Sequence, residues 1–143
     1  MAGYETYYRK GPLLLGSEYW WVFTTAPSVG SPTIHGGDFV ATWCVTGEAR
    51  AYNTVQGAFR EVIPNRPLFS GGHGAVELVA RFSDIDLDNR GISGGKFKRF
   101  TPGANWYLTS YLRLEGFYGI GRLDRFNLKG NTQFFQTRLQ LEF

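Results

Sequence analysis

The sequence has a single cysteine, Cys44, and this excludes an internal disulfide and any cysteine-based metal cluster. No run of about 18 apolar residues occurs, so no helix can span a membrane. Charge of one sign is also scarce: 15 basic residues face 12 acidic ones, a net +3. That balance is too mild to point to nucleic acid, and no zinc-finger or RNA-binding signature supports such a partner. Met1-Ala2-Gly3-Tyr4 lacks the basic patch and apolar stretch of a secretory leader. We therefore expect either a cytoplasmic protein or a leader encoded upstream of this chain.

Aromatic residues and glycine are abundant, at 17% of the chain and 19 residues respectively. Aromatics favour strands, and glycine costs about 1 kcal/mol in a helix interior. The combination predicts β-structure with frequent turns.

Alternation confirms that expectation along the chain. In "SYLRLEGFYGI", Leu112, Leu114, Gly116, Tyr118 and Ile120 fall on one face, with Arg113, Glu115 and Phe117 on the other. In "GAVELVARFS", Val76, Leu78, Ala80 and Phe82 oppose Glu77, Val79, Arg81 and Ser83. Seven strands are predicted, at about 3–9, 12–24, 37–47, 74–87, 96–108, 111–123 and 131–143. Several exceed ten residues. A globular strand averages about five or six, whereas about ten tilted residues cross a bilayer. A barrel wall places apolar residues only at alternate positions, so modest overall hydropathy does not exclude a membrane.

The connections divide into short and long. Lys10-Gly11 and Thr109-Ser110 are expected tight turns, while 24–36, 88–95 and 124–130 are expected longer links. With the last strand ending at the periplasm, the tight turns fall on the periplasmic side and the longer links outside, the asymmetry of an outer-membrane barrel. Residues 48–73 break that pattern, being long yet periplasmic.

The final segment, "NTQFFQTRLQLEF", alternates Phe135, Leu139, Leu141 and Phe143 with polar residues. It resembles the carboxy-terminal assembly signal of bacterial outer-membrane proteins. The resemblance implies recognition by the barrel-assembly machinery. As a soluble edge strand such a terminus is an aggregation hazard.

Four further segments carry a wider resemblance: "TWCVTGEARAYN" (42–53), "GAFREVIPNRPL" (57–68), "GAVELVARFSDIDLDN" (74–89) and "NWYLTSYLRLEGFYG" (105–119). In this order they resemble the carboxy-terminal part of the porin O and P family, the phosphate-selective porins. The resemblance runs from about Tyr4 to Phe143. It implies an all-β, antiparallel transmembrane barrel of about sixteen strands. It further implies a Gram-negative outer membrane, a homotrimer, and diffusion of small anions such as phosphate or polyphosphate. Contacts with membrane lipid and lipopolysaccharide are expected. Seven strands are an odd number with two open edges, which lipid does not tolerate, so the chain is expected to be the carboxy-terminal portion of one barrel domain. In the family a long periplasmic connection near this end folds into the lumen, and 48–73 match that stretch. The family's main anion-binding arginines lie upstream and have no counterparts here.

An anion pore replaces lost hydration with guanidinium and ammonium groups. The expected lumen face carries Arg9, Arg81, Arg99, Arg113 and Arg138, balanced by Glu5, Glu18, Glu77, Glu115 and Glu142. Arg113 with Glu115, and Arg81 with Glu77, are candidate ladder pairs. Lys96, Lys98, Arg122, Arg125 and Lys129 gather toward the expected outer mouth, where they steer anions, bind lipopolysaccharide phosphates or face solvent. Asp84, Asp86 and Asp88 read as a solvated strand end, since no EF-hand pattern follows. Tyr7, Tyr8, Tyr19, Trp20, Trp21, Trp106, Tyr107 and Tyr111 are expected in interfacial aromatic girdles. His35 and His73 fall in Gly-rich links and are expected turn residues. No nucleophile elbow, metal-ligand spacing or phosphate loop is present, so neither enzyme nor cofactor is expected. The alternative is a soluble β-sandwich or small barrel binding a ligand through an aromatic face.

Overall fold

The computed structural model describes residues 1–142. The expected assembly-signal residue Phe143 lies outside the described residues. The fold is one antiparallel sheet built from β1 (Ala2–Lys10), β2 (Leu13–Phe23), β3 (Thr33–Cys44), β6 (Ala75–Asn89), β7 (Ile92–Tyr107), β8 (Leu112–Arg125) and β9 (Leu128–Leu141). Their order in the sheet is that of the chain, β1-β2-β3-β6-β7-β8-β9, so each strand pairs with its sequence neighbours. A small hairpin, β4 (Tyr52–Asn53) with β5 (Ala58–Phe59), lies in the connection between β3 and β6. The sheet is a barrel-wall segment and is not closed on itself. The second sheet is only the two-stranded β4–β5 hairpin, so the described residues do not form a β-sandwich.

Strand ends and turns correct the expected boundaries. The β1–β2 turn is Gly11-Pro12, with Lys10 paired to Leu13 and Gly11 at φ 56. Between β7 and β8 the loop runs over 108–111, where the Thr109 hydroxyl accepts from the Tyr111 and Leu112 amides. Two of the three expected long outer links are instead two-residue turns. Arg90-Gly91 joins Asn89 to Ile92, and Phe126-Asn127 joins Arg125 to Leu128. Arg90, Phe126 and Asn127 have φ of 49, 50 and 65, the left-handed geometry that hairpin turns with the sheet's own twist require. Only the 24–32 link stays long. The strands continue because backbone ladders form wherever partners exist, even where hydrophobic alternation stops. At Asp84-Ile85-Asp86-Leu87 charged residues replace the apolar series while pairing to β7 persists up to a bulge between Asp86 and Asp88. The Gly95 amide donates to Asp88 there, at 2.7 Å.

The two faces differ in chemistry. One exposes Phe39, Trp43, Leu78, Phe82, Phe100, Leu114, Ile120, Phe135 and Leu139. On β8 this apolar belt runs from Leu112 to Ile120, a length that matches the about ten residues needed to cross a bilayer. Above it, Lys96 pairs with Asp86 (2.6 Å), Lys98 with Asp84 (3.9 Å) and Lys129 with Asp124 (3.3 Å).

The opposite face is polar but carries rings seated on glycines. The Phe117 ring lies over Gly103 and the Phe134 ring over Gly119. A Cβ at Gly119 would meet Phe134 Cε1 at 1.8 Å, so only glycine leaves the ring its place.

Candidate lumen face and its inward connection

Register places Arg9, Arg81, Arg99, Arg113 and Arg138 on the polar face together with Glu5, Glu18, Glu77 and Glu115. These side chains do not form one ladder. Arg81 pairs with Asp38 on β3 instead of the expected Glu77, which lies on its own strand. Glu115 forms ion pairs with both Arg113 and Arg138, their Nε atoms 2.8 and 3.2 Å from its carboxylate oxygens, and the first is a pair that the sequence leads one to expect. Glu18 accepts the Tyr7 hydroxyl at 2.9 Å.

The connection 45–74 lies against one end of this face and takes up the remaining charges. Its anchor is Arg50, a residue the sequence reading passed over. Arg50 Nε and Nη2 donate to the two Glu77 oxygens at 2.8 and 2.7 Å, and Nη2 also reaches the Tyr107 hydroxyl at 2.7 Å. Glu77 is fully buried on the strand face and also receives the Asn105 amide and the Tyr107 hydroxyl, each at 2.9 Å. A carboxylate in such a site is held by paired, charge-assisted donors. The Glu77 hydrogen bonds raise Arg50 above its ordinary pKa against the opposing effect of burial, so the cation persists. Arg9 donates to the Arg50 carbonyl at 2.6 Å, and Arg113 pairs with Glu61 of the connection.

Apolar contacts complete the seat. Val62 from the connection is buried with Cys44, Ala75 and Tyr107, and the Phe59 ring meets Tyr7 edge-on at 5.4 Å. Inside the connection, Glu48 accepts from the Thr46 hydroxyl and from the Asn65 amide at 3.1 Å. Burial raises the Glu48 carboxyl, but these hydrogen bonds outweigh it and hold it below the usual carboxylate range. Sequence signals pointing to Arg50 were faint. The one available was Glu77, an acid amid strand residues that needed a cation from outside its strand.

Other expected positions moved. Tyr7, Trp20 and Tyr107 face the polar side and leave the girdle; Trp20 lies over Gly3 and Tyr107 under the connection. Tyr4, Tyr19 and Trp21 cluster on the apolar face, with Tyr19 and Trp21 centroids 4.8 Å apart. His35 is a β3 residue, its Nδ1 2.8 Å from the Tyr19 hydroxyl, and not a turn residue. Strand parity puts Lys96, Lys98, Arg122 and Lys129 on the apolar-face side, above the belt, and Arg125 stacks on Phe126 at 4.9 Å. Asp86 and Asp88 serve the bulge and Lys96.

An antiparallel meander with one exposed apolar belt and one polar, arginine-bearing face defines a β-barrel membrane protein wall. The family model described as phosphate-selective porin O and P matches residues 2–143, and the chain belongs to that family. An uncharacterized protein of Caulobacter vibrioides is 30% identical over 118 residues, 82% of this chain and 24% of that protein. The chain thus spans about a quarter of the length of this relative.

Proposed function

We propose that this chain supplies seven strands to the wall of an outer-membrane porin through which small anions, phosphate or polyphosphate among them, diffuse. The two-faced sheet is the observation that carries this reading. An exposed face of Phe, Leu and Trp suits lipid, and a face of Arg, Glu, Gln and Asn suits a water-filled lumen. The open edges of β1 and β9 support further strands from a longer chain, because unpaired backbone groups are costly in lipid. The connection 45–74 then folds into the lumen at its periplasmic end and narrows it. The paired charges above the apolar belt face lipopolysaccharide. Phe135, Leu139 and Leu141, with Phe143, form the terminal signal read by the assembly machinery, and the barrel works as a homotrimer.

On the polar face Arg81, Arg113 and Arg138 pair with carboxylates, as does Arg50 of the connection, while Arg9 and Arg99 do not, so this part of the wall is largely neutralised and is not a basic funnel. Selectivity for anions is set by the uncompensated cations of the whole pore. The test is a reversal potential across planar bilayers under a salt gradient. A potential of the sign for anion flow is expected, and cation preference would sink the anion-porin reading.

A further inference from the structure

We infer that the polar face holds a subsite for a small organic carboxylate with an apolar body, an aryl carboxylate being the best fit. This deepens the porin reading and rests on it. The site is a hollow of about 400 Å³ spanning β3, β6, β7, β8 and β9, beyond the inward connection. Its volume falls within the range of small-molecule sites, about 300–1,000 Å³.

One end of the hollow is cationic. Among the described residues Arg99 has no carboxylate partner; its guanidinium carbon lies 5.6 Å from the centre of the Phe134 ring. Arg99 Nε and the Thr101 hydroxyl are buried and make no hydrogen bond, and Thr101 is only 9% exposed. Buried polar groups are nearly always paired, so these two unused donors side by side mark a position for a ligand; a third unpaired atom of the hollow, Asn105 Oδ1, is an acceptor and lies away from them toward Glu115. Arg81, which lies opposite Thr101 across the β6–β7 ladder, lines the same hollow while shared with Asp38. Arg50 and Glu115 also border it, each already neutralised, by Glu77 and by Arg113 with Arg138.

The middle of the hollow is apolar. Phe117 and Phe134, fixed on Gly103 and Gly119, join Val40 and Val79 as its walls, and Thr42, Asn105 and Gln136 line the side away from Arg99. A bare phosphate dianion needs donors on several sides, and apolar walls strip its hydration without replacing it. A carboxylate with an aryl body puts its charge on Arg99 and Thr101 and buries its ring against Phe117 and Val79. Thr101 and Gly103 are two residues apart on one strand, about 7 Å, which suits the length of such a molecule.

The test is block of chloride current by benzoate, with acetate and inorganic phosphate compared, in the full porin reconstituted in planar bilayers. Benzoate is expected to block most strongly. Arg99→Gln should weaken that block about tenfold, the effect of losing one charge-assisted contact. Phe117→Ala should weaken benzoate and leave acetate unchanged. Because either variant can disturb assembly, Thr101→Val, nearly isosteric, is measured beside them, and line broadening of 4-fluorobenzoate in ¹⁹F spectra of the wild-type protein in micelles reports binding directly. Equal block by phosphate and benzoate, or block unmoved by Arg99→Gln and Thr101→Val, overturns the inference. Anion current without benzoate block or broadening overturns it while the porin reading stands. Cation-selective current sinks both.

Discussion

Arg50 shows how one side chain can fix a connection that has little secondary structure of its own. It spends both edges of its guanidinium on Glu77 and Tyr107, and Glu77 is fully buried. Replacing one partner of a buried ion pair leaves the other charge stranded, at a cost of about 3–5 kcal/mol. Arg50→Ala should therefore loosen residues 45–74, read as faster deuterium exchange across this segment with β8 and β9 unaffected. It also leaves Glu77 negative in the wall, so single-channel current should rise and anion preference fall. Gly119 makes the second residue-level test. Gly119→Ala drives a methyl into the Phe134 ring and should destabilise the barrel by about 1–3 kcal/mol, measured as a lower midpoint in heat-dependent gel migration. The arginines of the wall were legible as a face because period two fixes parity. The Arg113–Glu115 pair was legible as well, but Asp38 on the neighbouring strand and Glu61 in the connection were not, since no local spacing reveals contacts of that kind.

At the scale of elements, the strands themselves were readable wherever one face meets an apolar phase. Leu112 to Ile120 alternates cleanly, and β8 follows it. Where the chain rises above the belt the pattern dissolves, so the sequence of the far ends of β6 to β9 predicts loops although the ladder runs on to Arg90-Gly91 and Phe126-Asn127. Neither turn carries the Asn-Gly or Asp-Gly pair that announces such hairpins. The connection 45–74 carries a pH response. Glu48 has a depressed pKa in the folded chain, so its contribution is present above the unfolded value and is lost as pH falls through the folded one. Protection of the Asn65 amide, which Glu48 accepts, should hold from neutrality to about pH 5 and decline below about pH 4. Glu48→Gln should remove that pH dependence in the same exchange experiment.

For the whole molecule the decisive relation is between the sheet and its surroundings. The described chain gives a single layer whose apolar face has no protein cover and whose edges are unpaired. Such a sheet is consistent with lipid on one side, water on the other and neighbouring strands at both edges. Alternation alone leaves inside and outside undecided, because a soluble barrel inverts the same pattern. The placement of the connection on the polar face and the bare belt opposite support the proposal of a lumen on the polar side. The measurement that tests this most directly is nitroxide accessibility of the protein in bilayers. In a Cys44→Ser background, labels are placed at Phe39, Leu78, Phe100 and Leu114 on one face and at Val40, Val79, Thr101 and Phe117 on the other. Labels on the first set should collide readily with oxygen and little with a water-soluble nickel chelate, and the second set should show the reverse. The opposite assignment, or equal nickel access to both sets, would contradict a membrane-spanning wall with its polar face toward the pore.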